Sequence, residues 1–130
     1  MATPSTLPRP DLKAYYESIH LPFQGLVSQL VQLIGRKLTA YVAGVKDVRA
    51  IDRWVDGGES YGNVKDRLRL TFQVARTLRN HDSERVVHAW LTGVNPELGD
   101  RTPIRLLREG NLESVAAEVL GAVRAFIAGG

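Results

Sequence analysis

His20, His81 and His88 are the only imidazoles in a chain of 130 residues, and their spacing admits little metal chemistry. The interval from His81 to His88 suits one helical face, but a closed zinc site needs three or four ligands, and neither HExxH nor a comparable motif is present. The histidines are therefore expected on the polar surface. The acidic run Asp47, Asp52, Asp56 and Glu59 lacks the alternation and the bidentate twelfth ligand of a calcium loop, so capping and solvated positions are expected for it. The glycines of residues 56–63 are not followed by Gly-Lys-Ser/Thr and do not join a strand to a helix, which removes a phosphate-binding loop. A Gly-x-Ser-x-Gly nucleophile elbow is absent too. With no cysteine in the chain, disulfides, thiolate zinc sites, iron–sulfur clusters and cysteine nucleophiles are excluded. The expectation is a protein without metal or cofactor that is not an enzyme.

The cationic side chains carry what chemistry is left. Seventeen Lys and Arg against fourteen Asp and Glu leave only +3 overall, but residues 36–79 hold ten cations against five acids, whereas residues 80–130 hold five against seven. A basic middle beside an acidic end suits a chain in which one part meets a polyanion and another meets something else; the plainer reading is chance.

The elements that must position these groups follow from apolar spacing. Residues 1–10, with Pro4, Pro8 and Pro10, read as a disordered arm without the apolar segment of a signal peptide. Asp11 is expected to cap a short helix through Ser18, with Leu12, Tyr15, Tyr16 and Ile19 at helical spacing, before Pro22 stops it. Residues 23–33 repeat apolar side chains at three and four, ending at Gly35; residues 36–43 do the same and end at Gly44, the left-handed cap of a sharp reversal. Asp47 is the expected cap of the next helix, with Val48, Ile51 and Trp54 or Val55 inward. Residues 64–80 form the longest helix, with Val64, Leu68, Thr71, Phe72, Ala75 and Leu78 on one face. Ser83, Thr102 before Pro103, and Asn111 are the expected caps of the last three helices, and Leu112, Val115, Ala116, Val119, Leu120, Val123 and Ile127 make a near-heptad seam. No segment alternates with period two, so the chain reads as all-α with about seven helices. No apolar run reaches the roughly 20 residues of a membrane helix, and a cytoplasmic protein is expected.

Two short helices with Gly44 in the turn, the small Ala40 four residues earlier, and Val45, Ile51 and Trp54 inward suit a helix-turn-helix; a plain helical hairpin shares the same turn. In the first reading Arg36 and Lys37, at the start of a helix, position phosphates. Lys46, Arg49 and Arg53 lie nearer the groove, with Arg49 best placed to pair with guanine, and Lys65, Arg67 and Arg69 hold a flanking phosphate. Asp47, Asp52 and Asp56 interleave with these cations and would repel phosphate.

Residues 38–44 (LTAYVAG), then Ile51, Asp52, Arg53, Trp54 and Gly57, and RLRL over residues 67–70 resemble the Xre-like helix-turn-helix of the Xre/MbcA/ParS antitoxins. Ala89, Trp90 and Leu91, Asn95-Pro96, Leu98-Gly99, Thr102-Pro103, Leu106-Leu107, Gly110 and the Val-rich last helix resemble that family's C-terminal toxin-binding domain. The resemblance covers about residues 26–130. It implies an arm and short helix over residues 1–22, an Xre-like region over residues 23–80 and a toxin-binding domain over residues 81–130. It further implies an antitoxin of a type II toxin–antitoxin system that covers the active-site cleft of a RES-domain toxin that degrades NAD. Binding of operator DNA, to autoregulate the operon, and a homodimer or hetero-oligomer with the toxin belong to the same expectation.

Toxin contacts so implied fall among Trp90, Asn95, Pro96, Leu98, Arg101, Arg105, Arg108, Arg124, Phe126 and Ile127, with the last turn as a plug. Read from the residues alone, Trp90 at helical spacing from Val86 and Val87 suits the core, Asn95-Pro96 a turn and Thr102-Pro103 a cap. The alternative function is a stand-alone helix-turn-helix transcriptional regulator without a toxin partner.

Overall fold

The computed structural model describes residues 9–129, so the expected N-terminal arm, apart from Arg9 and Pro10, lies outside the described residues. Among the described residues the fold is all-α, with seven helices and no strand: α1 (Pro10–Ile19), α2 (Phe23–Ala43), α3 (Arg49–Val55), α4 (Val64–His81), α5 (Glu84–Thr92), α6 (Pro103–Glu109) and α7 (Leu112–Gly129). A 3-10 turn over Pro96–Leu98 lies between α5 and α6.

The long apolar stretch at the start of α2 supplies Leu26, Val27, Leu30 and Ile34 to the core. Gly35, at φ 88 and ψ 163, then breaks the helical path, and the Thr39 hydroxyl closes the restart by donating to the Gly35 carbonyl at 2.7 Å. The stretch is thus two helical segments that meet at Gly35, the expected boundary. Gly44, at φ 75, ends it; a side chain there would be strained, and its N–H and that of Val45 donate back to the carbonyls of Tyr41 and Ala40.

Every other helix except α3 packs against α4. That position changes what α4 must bury. Leu68, Phe72, Ala75 and Leu78 form the expected stripe, but Leu70, Gln73, Val74 and Thr77 are buried as well, because neighbours cover more than one face. Fully buried side chains such as Phe72 and Leu78 are each worth about 1.5–3 kcal/mol in transfer free energy. Gln73 and Thr77 avoid a desolvation penalty by donating to carbonyls: Gln73 to that of Asp11 in α1 at 2.9 Å, and the Thr77 hydroxyl to that of Gln73 in its own helix at 2.6 Å, with the Pro10 carbonyl beside it at 3.4 Å. Every buried side-chain polar atom among the described residues has a partner. The seam of α7 packs on α4 and α6, with Val115, Val119, Ala122 and Val123 buried.

Two local expectations are corrected. α1 begins at Pro10, and Asp11 is no cap: it lies buried in the first turn, its carboxylate bonded to Arg9 and Arg124. The inward side of α1 is Asp11, Ala14 and Ser18, while Leu12, Tyr15, Tyr16 and Ile19, at helical spacing, are exposed. Thr102 makes no side-chain capping bond, although Pro103 does open α6. The caps at Ser83 and Asn111 form, the first accepting from Val86 N–H and the second from Glu113 and Ser114 N–H.

Candidate functional site

The hairpin over residues 36–55 is held by apolar side chains on one side and by ion pairs on the other. Ala50, Ile51 and Trp54 face inward; the Trp54 ring meets Phe23 edge-on at 5.7 Å, and its indole N–H donates to the Glu59 carbonyl at 3.2 Å. Val55, the other inward candidate, is exposed. Asp47 acts one residue outside α3, accepting the Arg49 N–H at 2.8 Å, and it also grips the Arg49 guanidinium at 2.6–2.8 Å. The side-chain and backbone hydrogen bonds from Arg49 hold the Asp47 carboxyl down to about 2. Arg36 is likewise taken up, bonding Asp52 at 2.7 Å across the hairpin. Lys37, Lys46 and Arg53 are exposed and pair with no carboxylate among the described residues. Lys65 sits over the Phe23 ring at 5.5 Å.

The remaining two members of the basic set are structural. Arg67 donates to the carbonyls of Leu107 at 2.8 Å and Gly110 at 2.9 Å, tying α4 to both ends of the last turn of α6. Arg69 donates to the carbonyls of Ser18 and Leu21, closing the connection from α1 to α2. Both guanidinia thus spend donors on carbonyls at helix ends, Arg69 through one terminal nitrogen and Arg67 through both, which fixes where each side chain lies.

A different surface lies between α5, the 3-10 turn and α7. A cleft of ≈ 320 Å³ is lined by Ala89, Trp90, Val94, Pro96, Ala122, Ala125 and Phe126, with Asn95 and Glu97 at its edge. Local sequence builds it. Gly93 stops α5 in extended backbone, so Val94 projects from the connection and is 71% exposed, the most exposed aliphatic side chain among the large hydrophobics. Asn95 locks the next turn: its side chain accepts from Glu97 N–H at 2.9 Å, and its backbone N–H donates to the Arg101 carbonyl at 3.1 Å. Trp90 and Phe126 are half-buried, with one part of each ring packed on the core and the rest facing the cleft. Alanines on α7 leave the space between them.

The other expected toxin contacts are distributed around this surface. Leu98 is 2% exposed and belongs to the core, so it has no area for a partner. Arg101 bonds the Leu98 carbonyl at 2.6 Å and reaches Glu118. Arg105 pairs with Glu109 at 2.6 Å, and both line a hollow of ≈ 420 Å³ with Asp100, Arg101 and Leu106. Arg108 stacks over the Tyr41 ring at 4.5 Å, joining α6 to α2. Arg124 bonds the buried Asp11 carboxylate at 3.0 Å, and Phe126 and Ile127 pack on the core, Phe126 edge-on to His81 at 6.1 Å. Burial pushes the Asp11 carboxyl up, but hydrogen bonds and charge from Arg9 and Arg124 prevail and hold it below its ordinary value.

Val94, Ala89, Ala122 and Ala125 were not legible as site residues. The one available signal was Val94, an aliphatic residue in an otherwise turn-forming stretch. His81 and His88, whose interval suits one helical face, are separated by the break at Asp82 and sit on α4 and α5, and with His20 they are exposed, as expected of surface histidines. No cluster of three or more His, Asp or Glu among the described residues has the geometry of a metal site, and no helix there is long and apolar enough to cross a membrane. No protein-family model, no curated protein and no solved structure matches the chain.

Proposed function

We propose that this chain is a protein-binding module of antitoxin type. It neutralises a toxin of the RES class, which degrades NAD, by seating a partner element in the cleft between α5 and α7. The observation that carries the reading is the cleft itself: open apolar walls at Val94, Trp90 and Phe126 on a rigid frame, within the residues that resemble the toxin-binding domain. Apolar anchors in a preformed cleft with a polar rim are what a protein interface uses for affinity. The hairpin lends less support to DNA reading, since Arg49 and Arg36 are already bound by Asp47 and Asp52, and a phosphate or base would have to displace a carboxylate from each.

The test is co-expression with the protein encoded beside it. Wild type should co-purify with that neighbour and restore growth; Val94→Glu, which places a charge in the cleft without disturbing the core, should lower affinity at least about 30-fold. Deleting residues 124–130 is a poorer test, because it also removes the Arg124 bond to Asp11. A neighbour without toxicity, together with sequence-specific operator binding lost in Arg49→Ala, would place the function in α3 and make the protein a transcriptional regulator.

A further inference from the structure

The start of α1 and the end of α4 meet around a hollow of ≈ 280 Å³ that shares no lining residue with the α5–α7 cleft. Arg9, Pro10, Lys13, Thr77, Asn80 and His81 line it, so three of the six carry a basic group and none a carboxylate. The acids nearby are engaged elsewhere. Asp11 is bonded to Arg9 and Arg124, Glu17 pairs with Arg76 at 3.2 Å, and the Asp82 carboxylate accepts the Ser83 N–H at 2.8 Å. The two helix ends that meet here oppose one another, positive at α1 and negative at α4, so the side-chain charges set the sign of the field.

The hollow is held in shape from behind. Asp11, 2% exposed, takes the Arg9 guanidinium on both oxygens at 3.2 Å through Nε and Nη2, which leaves Nη1 without a partner among the described residues. Because Arg124 bonds the same carboxylate, its charge is met twice and Arg9 remains a surplus cation. Lys13 follows Arg9 by one helical turn and pairs with no carboxylate among the described residues. On the other wall the His81 ring is set edge-on to Phe126 at 6.1 Å, and Thr77, 1% exposed, forms the floor.

We propose that this hollow binds a phosphate monoester group, with Arg9 Nη1 and Lys13 Nζ on one side and the His81 ring N–H and the Asn80 amide on the other. Donors that converge from two helices suit a tetrahedral oxyanion, whose oxygens point apart, better than a planar carboxylate. Near neutral pH such a group carries about −1.5 to −2 charges, which matches the Arg9 surplus and Lys13. The hollow is sized for one phosphate group and not for a run of nucleic-acid backbone. The group can arrive on a soluble ester or on a lipid headgroup. Neither source involves the α5–α7 cleft, so the site stands whether or not a toxin partner exists.

Titration of the isotope-labelled full chain with inorganic phosphate and with phosphoethanolamine, at ionic strength held constant by sodium chloride, tests the site. Amide shifts should saturate with a dissociation constant of about 0.1–2 mM and centre on Asp11, Lys13, Asn80 and His81. Lys13→Gln and His81→Phe should each weaken binding at least about 5-fold with unchanged circular dichroism, whereas Lys37→Gln in the hairpin should bind as wild type. Sedimentation with phosphatidylcholine vesicles, with and without phosphatidic acid, separates the two sources. Retention that needs phosphatidic acid and is lost in Lys13→Gln assigns the group to a headgroup; no retention beside a saturable phosphoethanolamine response assigns it to a soluble ester. Shifts that fail to saturate, that chloride alone reproduces, or that keep wild-type affinity in both variants would overturn the proposal.

Discussion

The hairpin over residues 36–55 and the cleft between α5 and α7 are both exposed and both built on short connections, yet their exposed groups stand in opposite states. In the hairpin the two best-placed arginines are paired at home, Arg49 with Asp47 and Arg36 with Asp52. At the cleft Val94 is left in water at 71% exposure, although the polar groups of the turn beside it are bonded through Asn95. At those paired positions a polyanion gains little, because each new contact replaces an old one, which leaves Lys37, Lys46 and Arg53 as the cations of the hairpin unpaired among the described residues. A surface with satisfied polar groups and open apolar walls gains the full transfer of those walls when a partner covers them. Exposed cations alone are thus a poor guide to a binding site; what matters is whether they are already engaged.

The largest effect that sharpens this contrast is expected at Arg67, which composition alone places with the DNA-binding set. Arg67→Ala leaves the Leu107 and Gly110 carbonyls without their charged donor and should destabilise the fold by about 2–4 kcal/mol in chemical denaturation. Next is Asp11. Asp11→Ala removes the carboxylate that joins the first and last helices and should cost about 1–3 kcal/mol. By contrast Arg49→Ala, on an exposed pair, should change stability by less than about 0.5 kcal/mol. Loss of more than that would mean that the hairpin depends on its surface charges and would undo the contrast.

The carboxyl titration is the smallest and most specific of these effects. Asp47 is held at about 2, below its ordinary value, so the folded state binds its proton less tightly than the unfolded chain does. The stability this contributes is complete above the unfolded value near 4 and disappears as pH falls through about 2. Carbon-detected NMR should place the Asp47 midpoint at about 2 in wild type and return it toward the ordinary range in Arg49→Ala. Asp47→Asn should also release Arg49 and raise non-specific DNA affinity at low salt, with a steeper salt dependence.

Much of the fold was legible because the relevant signals are local. Glycine at 35 and 44, the cap at Ser83 and the apolar runs of α2 and α7 each fix backbone within a few residues. The orientation of α1 was not legible, because this helix buries Asp11 and Ser18, with the Asp11 carbonyl accepting from Gln73, and apolar periodicity does not anticipate a buried polar side. The buried Gln73 and Thr77 of α4 were missed for the same reason. At the site, Trp90 and Pro96 were legible and Val94 was not, since only the arrangement of three elements shows which apolar residue is left uncovered. Arg67 and Arg69 look cationic and surface-bound in one dimension; the carbonyls they bond come from helix ends distant in sequence.

The most direct test of the account is protection of growth by three versions of the chain, each co-expressed with the product of the adjacent gene, which the proposed function requires to be a toxin, while cellular NAD is followed. Wild type and Arg49→Ala should both preserve NAD and growth, whereas folded Val94→Glu should preserve neither. Full protection by Val94→Glu, or loss of protection in Arg49→Ala, would contradict the assignment of the binding surface to the α5–α7 cleft.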